Sequence, residues 1–349
     1  MLPDELTTRL KQEARRLGFD LVGATAAVEP AGFDRLREWL AEGRAGQMSY
    51  LSDHAEAQRH PRNVLDGARS LLMLAVGYRT VEPASDERAT AAGRIARYAW
   101  GRDYHDVVRE RLHALADLHR RLTPGASVRG VVDTAPLLER EFAQRAGLGW
   151  IGKNTMLINR DWGSWVFLAS LLTSEELTYD VPREESPCGS CRACLDACPS
   201  GALAEPYRLD ARRCVSYLTI ELRDSIDQPL REAMGDRLFG CDACQEACPW
   251  NRRTAVSEDE AFRPREGENP ADPIELLSLD EEAFRGRFRD TPLWRARRGG
   301  LLRNAAIVLG NRRAASPEAM AALRRGANDD DFLIREACEW ALVRCEAAE

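Results

Sequence analysis

No apolar run in this chain approaches the ~18 residues that a membrane-spanning helix requires. The first ten residues, M-L-P-D-E-L-T-T-R-L, carry acids and none of the apolar core that an export leader needs, and no twin-arginine signal stands there. These absences predict a cytoplasmic protein with no membrane partner, in a compartment where thiols stay reduced. An excess of positive charge is missing as well. The 349 residues hold 49 Lys and Arg against 56 Asp and Glu, a formal net charge of −7, with a pI near 5.5. That excludes a protein that coats nucleic acid over its whole surface, but it leaves room for a local basic face. With 44% hydrophobic and 30% charged residues, the chain has the make-up of an ordinary globular protein of about two or three domains.

Two familiar motifs are nearly present and fail on context. Gly147-x-Gly149-x-x-Gly152-Lys153 matches a dinucleotide fingerprint as a string. Its glycines follow a predicted helix, however, whereas the phosphate-binding turn must follow a strand and open a helix. They read as a helix C-cap and a tight loop. Asp103-x-His105 resembles the start of the D-x-H-x-x-G motif that supplies an imidazole to cobalt in some cobalamin enzymes, but Val108 stands where the glycine belongs.

What is abundant is cysteine in one region. Cys188-x2-Cys191-x2-Cys194-x3-Cys198-Pro199 is followed by Cys214 alone and then by Cys241-x2-Cys244-x3-Cys248-Pro249. Such runs hold two cubane iron-sulfur clusters, the last cysteine of each run serving the other run's cluster. On that rule Cys188, Cys191, Cys194 and Cys248 hold one cluster. Cys198, Cys241 and Cys244 need a fourth thiolate, and Cys214 is the cysteine between the runs. Structural zinc uses one or two C-x2-C pairs rather than this run. A disulfide framework fits worse in a chain large enough to build its own core.

Around this centre the pattern is mixed. Glu5 to Leu17 has helical spacing with Gly18 as its stop, and Phe19 to Ala24 reads as a short strand. Gly32 to Gly46 contains a helix with Phe33, Leu36, Trp39 and Leu40 on one face. Leu71 to Tyr78 reads as a fully buried strand. Gly93 to His105 mixes aromatics, glycines and polar groups, which suits either a pocket wall or a loop whose rings fill core, and an amphipathic helix follows from Val107 to Leu122. Val128 to Val132 is a β-branched strand ending at Asp133, and Pro136 starts a helix running to about Ala146. Asp133 or Thr134 serves as that helix's N-cap, or else Asp133 is a carboxyl at the ligand-binding edge of an open α/β sheet. In the second case partial desolvation raises its pKa and lets it donate a proton. Asn154 to Ile158 and Val166 to Leu172 are expected to pair as a hairpin closing the first domain. The segment 182–187 reads as a linker. Ser216, Tyr217 and Thr219, beside Cys214, face either a ligand or water.

These segments carry a family resemblance. I-A-R-Y-A-W-G-R-D-Y-H, V-V-D-T-A-P-L-L-E-R, G-W-I-G-K-N-T, G-S-W-V-F-L, C-V-S-Y-L-T-I-E and F-G-C-D-A-C-Q-E-A-C-P-W-N together resemble epoxyqueuosine reductase, in the family's order and through nearly the whole chain. The resemblance implies a cob(II)alamin bound base-off between the N-terminal domain and the ferredoxin-like domain, without a histidine ligand. It implies reduction of epoxyqueuosine to queuosine at the tRNA wobble position, the last step of queuosine biosynthesis, with Asp133 as proton donor. Expected corrin contacts are Tyr98, Asp133, Asn159, Ser164, Ser216, Tyr217, Asp242 and Gln245. An arginine just before Pro61, in Gln58-Arg59-His60, is also expected there. Two 4Fe-4S clusters in series would pass single electrons from an external low-potential donor.

Arg285 to Arg303 carries seven arginines and one acid. It reads as a tRNA-backbone contact, with Arg295, Arg297, Arg298 and Arg303 as the nucleic-acid residues, or as a loop charged for solubility; Phe288 and Trp294 interleave with the arginines. Leu301 to Gly310, Pro317 to Arg325 and Asp331 to Cys345 read as short amphipathic helices similar to HEAT repeats. Cys338 and Cys345 are expected to be buried structural thiols. The expected architecture is an α/β N-terminal cobalamin-binding and catalytic domain (1–180), a ferredoxin-like α+β domain with two 4Fe-4S clusters (181–255), and an all-α HEAT-like C-terminal region with the basic segment, which binds tRNA (256–349). The chain is expected to act as a monomer. Two other classes share parts of the pattern: a corrinoid reductive dehalogenase-like enzyme, which has no use for the arginine segment, and an iron-sulfur electron carrier or tRNA-binding module without chemistry of its own.

Overall fold

The computed structural model describes residues 1–82, 92–183, 186–265 and 269–347, so residues 184 and 185 of the expected linker lie outside the described residues. The first part comprises α1 (Pro3–Arg16), β1 (Leu21–Ala26), α2 (Phe33–Ala41), α3 (Ser49–Asp53), β2 (Ser70–Gly77), β3 (Arg94–Ile95), α4 (Tyr104–Leu122), β4 (Val128–Val131), α5 (Glu139–Arg145), β5 (Trp150–Ile151), β6 (Leu157–Ile158) and β7 (Val166–Thr173). The cysteine-bearing part has α6 (Ala193–Asp196), α7 (Val215–Ile220), α8 (Gln228–Met234), β8 (Arg237–Phe239) and α9 (Ala243–Glu246). Five helices follow: α10 (Pro273–Leu276), α11 (Glu281–Phe288), α12 (Arg297–Arg312), α13 (Pro317–Gly326) and α14 (Phe332–Glu346).

Every residue of β2 is buried, because the strand is internal to the sheet β1-β2-β7-β4 and both faces are covered. Alternate side chains serve opposite layers. Leu72, Leu74 and Val76 pack with Leu6 and Leu10 of α1 and Val108 and Leu112 of α4. Leu71, Met73 and Ala75 pack with Phe142 and Ala143 of α5. The sheet is antiparallel at every pairing, so the edge rule of open parallel sheets does not apply to Asp133. The expected hairpin is also corrected. β7 pairs with β2 and β4, while β6 pairs with β5 in its own two-stranded ribbon. An eight-residue apolar strand gains more by completing a covered sheet than by pairing with a two-residue neighbour.

The segments 181–255 and 256–349 share one core. Val215 and Leu218 of α7, Leu238 and Phe239 of β8, Leu301, Ala305 and Val308 of α12, and Ala337 and Ala341 of α14 belong to a single buried cluster. α12 is buried all round from Gly300 to Gly310 rather than amphipathic, with α14 packed along it and α13 against α14. Cys338 and Cys345 are fully buried, as expected of structural thiols. β3 pairs in parallel with β8, which ties the two parts together beside the cleft described below. Among the described residues no helix is long and apolar enough to cross a membrane.

Candidate functional site

A cleft of about 420 Å³ separates the sheet from the cysteine-bearing part, within the roughly 300–1,000 Å³ of small-molecule sites. Tyr98, Tyr104, Asp133, Glu139 and Arg140 line one side; Met156, Leu157, Val166 and Leu168 give it an apolar floor; Cys198, Cys214, Cys241 and Cys244 line the other side.

Asp133 is presented by a tight turn just past β4. Its backbone has φ +53°, and its N–H donates to Glu139 Oε1 at 3.0 Å. The turn occupies residues 133–138, so α5 begins at Glu139 with Leu138 at its N-cap; Pro136 does not open the helix, and neither Asp133 nor Thr134 caps it. Tyr104 Oη donates to Asp133 Oδ2 at 2.6 Å, and the Tyr104 ring stacks on Phe167 at 4.2 Å. His105 Nδ1 lies 2.8 Å from Asp103 Oδ1, and its Nε2 lies 3.3 Å from Asp133 Oδ2, an ion-pair separation rather than an aligned hydrogen bond.

The three titratable groups are pushed apart. Burial works to raise the Asp133 pKa, but the contacts with His105 and Tyr104 and the charges of His105 and Arg295 outweigh it, so the carboxyl sits below its ordinary value. This corrects the expectation of a raised pKa. Burial opposes charge on His105 as well, yet Asp103 and Asp133 bring it up to about 9. Desolvation, and then the Asp133 charge, pushes Glu139 up to about 8. Protein surrounds Asp133 on most sides, but its side chain keeps 59% of its exposure toward the open cleft. Water therefore reaches it, and removing that water would shift it toward its protonated form.

The cysteines form two sets of electrostatic neighbours. Cys194 feels Cys248, Cys188 and Cys191, and Cys248 feels Cys188 and Cys191. Cys244 feels Cys214, Cys241 and Cys198. Among the described residues no group of three His, Cys, Asp or Glu gathers around a single-ion point; thiolates at the corners of a cubane stand further apart than ligands of one ion. Cys191 is exposed, whereas all four members of the second set reach the cleft. Burial pushes Cys214 up to about 11, and the backbone N–H groups of Tyr217 and Ser216 pull it back.

Of the expected corrin contacts, Tyr98, Asp133, Ser164, Ser216, Asp242 and Gln245 line the cleft. Three of them also sew its sides together. Ser164 Oγ donates to Gln245 Oε1 at 2.8 Å, Asn251 Nδ2 donates to Ser164 Oγ at 2.9 Å, and Asp242 accepts from the Arg97 N–H at 2.7 Å. Gly163 is required beside them: it takes φ +59°, and a Cβ there would stand 2.0 Å from Asn251 Oδ1. Asn159 and Tyr217 do not line the cleft. Asn159 staples its own loop, donating to Leu148 O at 2.6 Å, and Tyr217 Oη accepts from the Gln47 N–H at 2.8 Å. Arg59 stays outside as well, over the Phe33 ring and paired with Glu56 and Glu29. Tyr104, Glu139, Arg140 and Thr155 line the cleft unforeseen. Their signal lay in the motifs R-D-Y-H, L-L-E-R and K-N-T.

The arginine segment is helix and turn, and much of its charge is used internally. Arg287 pairs with Glu275, Arg295 with Glu221 and Arg298 with Asp329. Arg303 is 1% exposed and donates to the carbonyls of Leu222, Asp224 and Leu218 at 3.0, 2.6 and 2.6 Å. It holds the core together and does not reach nucleic acid. Arg285, Arg289 and Arg297 have exposed side chains.

Two family models match: one described as a 4Fe-4S double cluster binding domain, over residues 187–251, and one described as Epoxyqueuosine reductase QueG, DUF1730, over residues 59–134. An epoxyqueuosine reductase of Pseudomonas aeruginosa is 41% identical, covering 98% of this chain and 95% of its own. A crystal structure of epoxyqueuosine reductase with an epoxyqueuosine-modified tRNA-Tyr stem loop superposes with a TM-score of 0.91 at 30% identity, covering 98% of this chain and 90% of that one. A Bacillus subtilis epoxyqueuosine reductase, whose catalytic aspartate loop is swung out of the active site, gives a TM-score of 0.89 at 30% identity over the same shares.

Proposed function

This chain belongs to the epoxyqueuosine reductase family, and from that membership we propose how its residues reduce epoxyqueuosine to queuosine in tRNA. The observation that carries the reading is 41% identity in an alignment covering 98% of the chain joined to a cleft with a carboxylate on one side and four cysteines on the other. Removing the epoxide oxygen consumes two electrons and two protons and releases water.

The donor set suits a large, flat, partly apolar cofactor. The floor is aliphatic, Tyr98 offers a ring, and Thr155, Ser216 and Arg140 offer polar groups at its margins. His105, the imidazole nearest Asp133, is engaged by Asp103 and Asp133, which agrees with a cobalamin held base-off and without a histidine ligand. Tyr98, Asp133, Ser164, Ser216, Asp242 and Gln245 are the residues we assign around it. When bound, cobalamin supplies the strongly reducing, nucleophilic centre that an epoxide carbon demands.

We assign Cys188, Cys191, Cys194 and Cys248 to one 4Fe-4S cluster and Cys198, Cys214, Cys241 and Cys244 to the other. The exposure of Cys191 supports electron entry from an external low-potential donor at the first set, and the cleft-facing second set supports delivery to the reaction. Asp133 is the proton donor to the departing oxygen. Its proton comes from the store at His105, and expulsion of cleft water on substrate binding raises its affinity for it. The Bacillus subtilis structure supports a loop that carries this carboxylate in and out. Arg285, Arg289 and Arg297 supply the phosphate contacts.

The test is anaerobic incubation with epoxyqueuosine-containing tRNA and a strong reductant, with and without cobalamin, followed by digestion and mass spectrometry of the nucleosides. Cobalamin-dependent queuosine supports the reading. Its absence with both clusters and cobalamin loaded overturns it.

A further inference from the structure

Tyr50, at the second position of α3, keeps 43% of its surface exposed. Its ring lies 5.7 Å from the Arg295 guanidinium carbon. Glu221 orients that guanidinium, accepting from Nε at 2.7 Å and from Nη2 at 3.3 Å. The three side chains come from three separate stretches, and one residue ties those stretches together. Arg223 donates through Nη2 to Arg295 O at 2.5 Å and through Nη1 to Ala296 O at 3.3 Å, while its backbone N–H donates to Gln47 Oε1 at 2.9 Å. Tyr217 holds the same loop from beneath: its hydroxyl accepts from Gln47, and Gly46, at φ +61°, passes so close that a Cβ would stand 2.5 Å from that oxygen. This is a rigid platform. It adjoins the cleft without lining it: Tyr217 directly follows Val215 and Ser216, which do line it, on α7, and Tyr50 and Arg295 both feel the charge of Asp133.

We propose that Tyr50, Arg295 and Glu221 form a site for one nucleobase, the base beside the reacting nucleoside in the tRNA loop. The proposal rests on the functional reading above. An exposed aromatic face beside a guanidinium plane is the combination that takes unstacked bases of single-stranded RNA. The alternative for Arg295, a backbone phosphate, fits poorly. Its charge is already answered by Glu221, and an approaching phosphate would meet that carboxylate. A neutral base meets no such repulsion, and its edge finds a donor in Arg295 and an acceptor in Glu221. The platform also explains why Tyr217 is turned away from the cleft: it supports the loop that carries Tyr50.

The experiment is a double-mutant cycle between protein and RNA. Binding of an epoxyqueuosine-containing stem-loop to the full chain is measured for wild type, Tyr50→Ala, Tyr50→Phe and Arg295→Lys. Each is measured with the intact loop and with an abasic site at either neighbour of the modified nucleoside. Tyr50→Ala is expected to weaken the intact loop roughly tenfold or more, with Tyr50→Phe near wild type. On the loop abasic at the correct neighbour, wild type and Tyr50→Ala should bind alike. Cluster absorbance of each variant reports folding. A Tyr50→Ala penalty that persists with both abasic loops, or no penalty on the intact loop, overturns the site. Queuosine formation by wild type is followed in the same preparations. If wild type neither binds nor converts the loop, the functional reading falls and the site with it; conversion without coupling removes the site alone.

Discussion

Replacing Arg303 by methionine separates a structural arginine from a nucleic-acid contact. The guanidinium serves three carbonyls, of Leu222, Asp224 and Leu218, and it also donates to Asn304 Oδ1. Stranding three acceptors, the Leu218 carbonyl buried and the Leu222 and Asp224 carbonyls part-buried, costs about 1–3 kcal/mol each, or ~6 kcal/mol at the middle of that range. Part of this is returned. Burial, with the charges of Arg223 and Arg231, pulls the Arg303 pKa down to about 10, a cost of ~3 kcal/mol in holding the charge that Arg303→Met relieves. The net loss is ~3 kcal/mol. At ~2.1 cal/mol/K per residue of unfolding entropy across the chain, that lowers the midpoint by roughly 4 °C. The assay is a thermal melt of the cluster-loaded protein, paired with stem-loop binding across a salt series. Arg303→Met should melt earlier and keep the wild-type salt dependence, whereas Arg297→Gln should melt normally and reduce the slope by about 0.7. For wild type, the three exposed arginines left after Arg295 is answered by Glu221 predict a slope near −2 rather than the roughly −5 that seven would give on single-stranded RNA. An unchanged midpoint for Arg303→Met together with a lower salt slope would refute the assignment, because it would put the guanidinium in solvent.

Asp133→Asn keeps the shape of the turn but not the proton, so both clusters and bound cobalamin should remain while turnover falls about 10²- to 10⁴-fold; near-normal turnover removes Asp133 from the mechanism. The stabilisation from the raised pKa of His105 is fully present below its ordinary value near 6.5 and is lost as pH rises through about 9. Stability and turnover should both decline across that window, and an alkaline limb that is unmoved in His105→Asn would exclude this imidazole as its source. Cys214→Ala should leave about half the iron, whereas Cys338→Ala, buried in α14, should keep all of it and lose only stability. Equal iron in the two variants would sink the assignment of Cys214.

The cysteine spacing alone announced two clusters, because a cubane demands thiolates at short, repeated intervals and few other structures use that run. Buried β2 was legible for a similar reason: eight consecutive apolar residues have no place at a surface. The proposed partition of the eight thiols rests on the same local rule, with Cys214 added as the cysteine between the runs. Asp133 stood out only through the motif around it, since nothing in V-V-D-T-A-P distinguishes a helix cap from a carboxylate aimed into a cleft.

What the tertiary structure alone decided is who meets whom across long separations in the chain. β7 reads as the partner of its sequence neighbour, but covered sheet area drew it to β2 and β4. The arginine segment reads as one basic stripe, yet Glu275, Glu221, Asp329 and three backbone carbonyls, all outside that stretch, take up four of its seven charges. The Asp133 pKa was expected to rise with burial, and His105, Tyr104 and Arg295 reverse the sign. Local spacing determines ligands that a single short segment can supply. Charge, protonation and exposure are sums over neighbours from the whole chain, and only the fold brings those neighbours together.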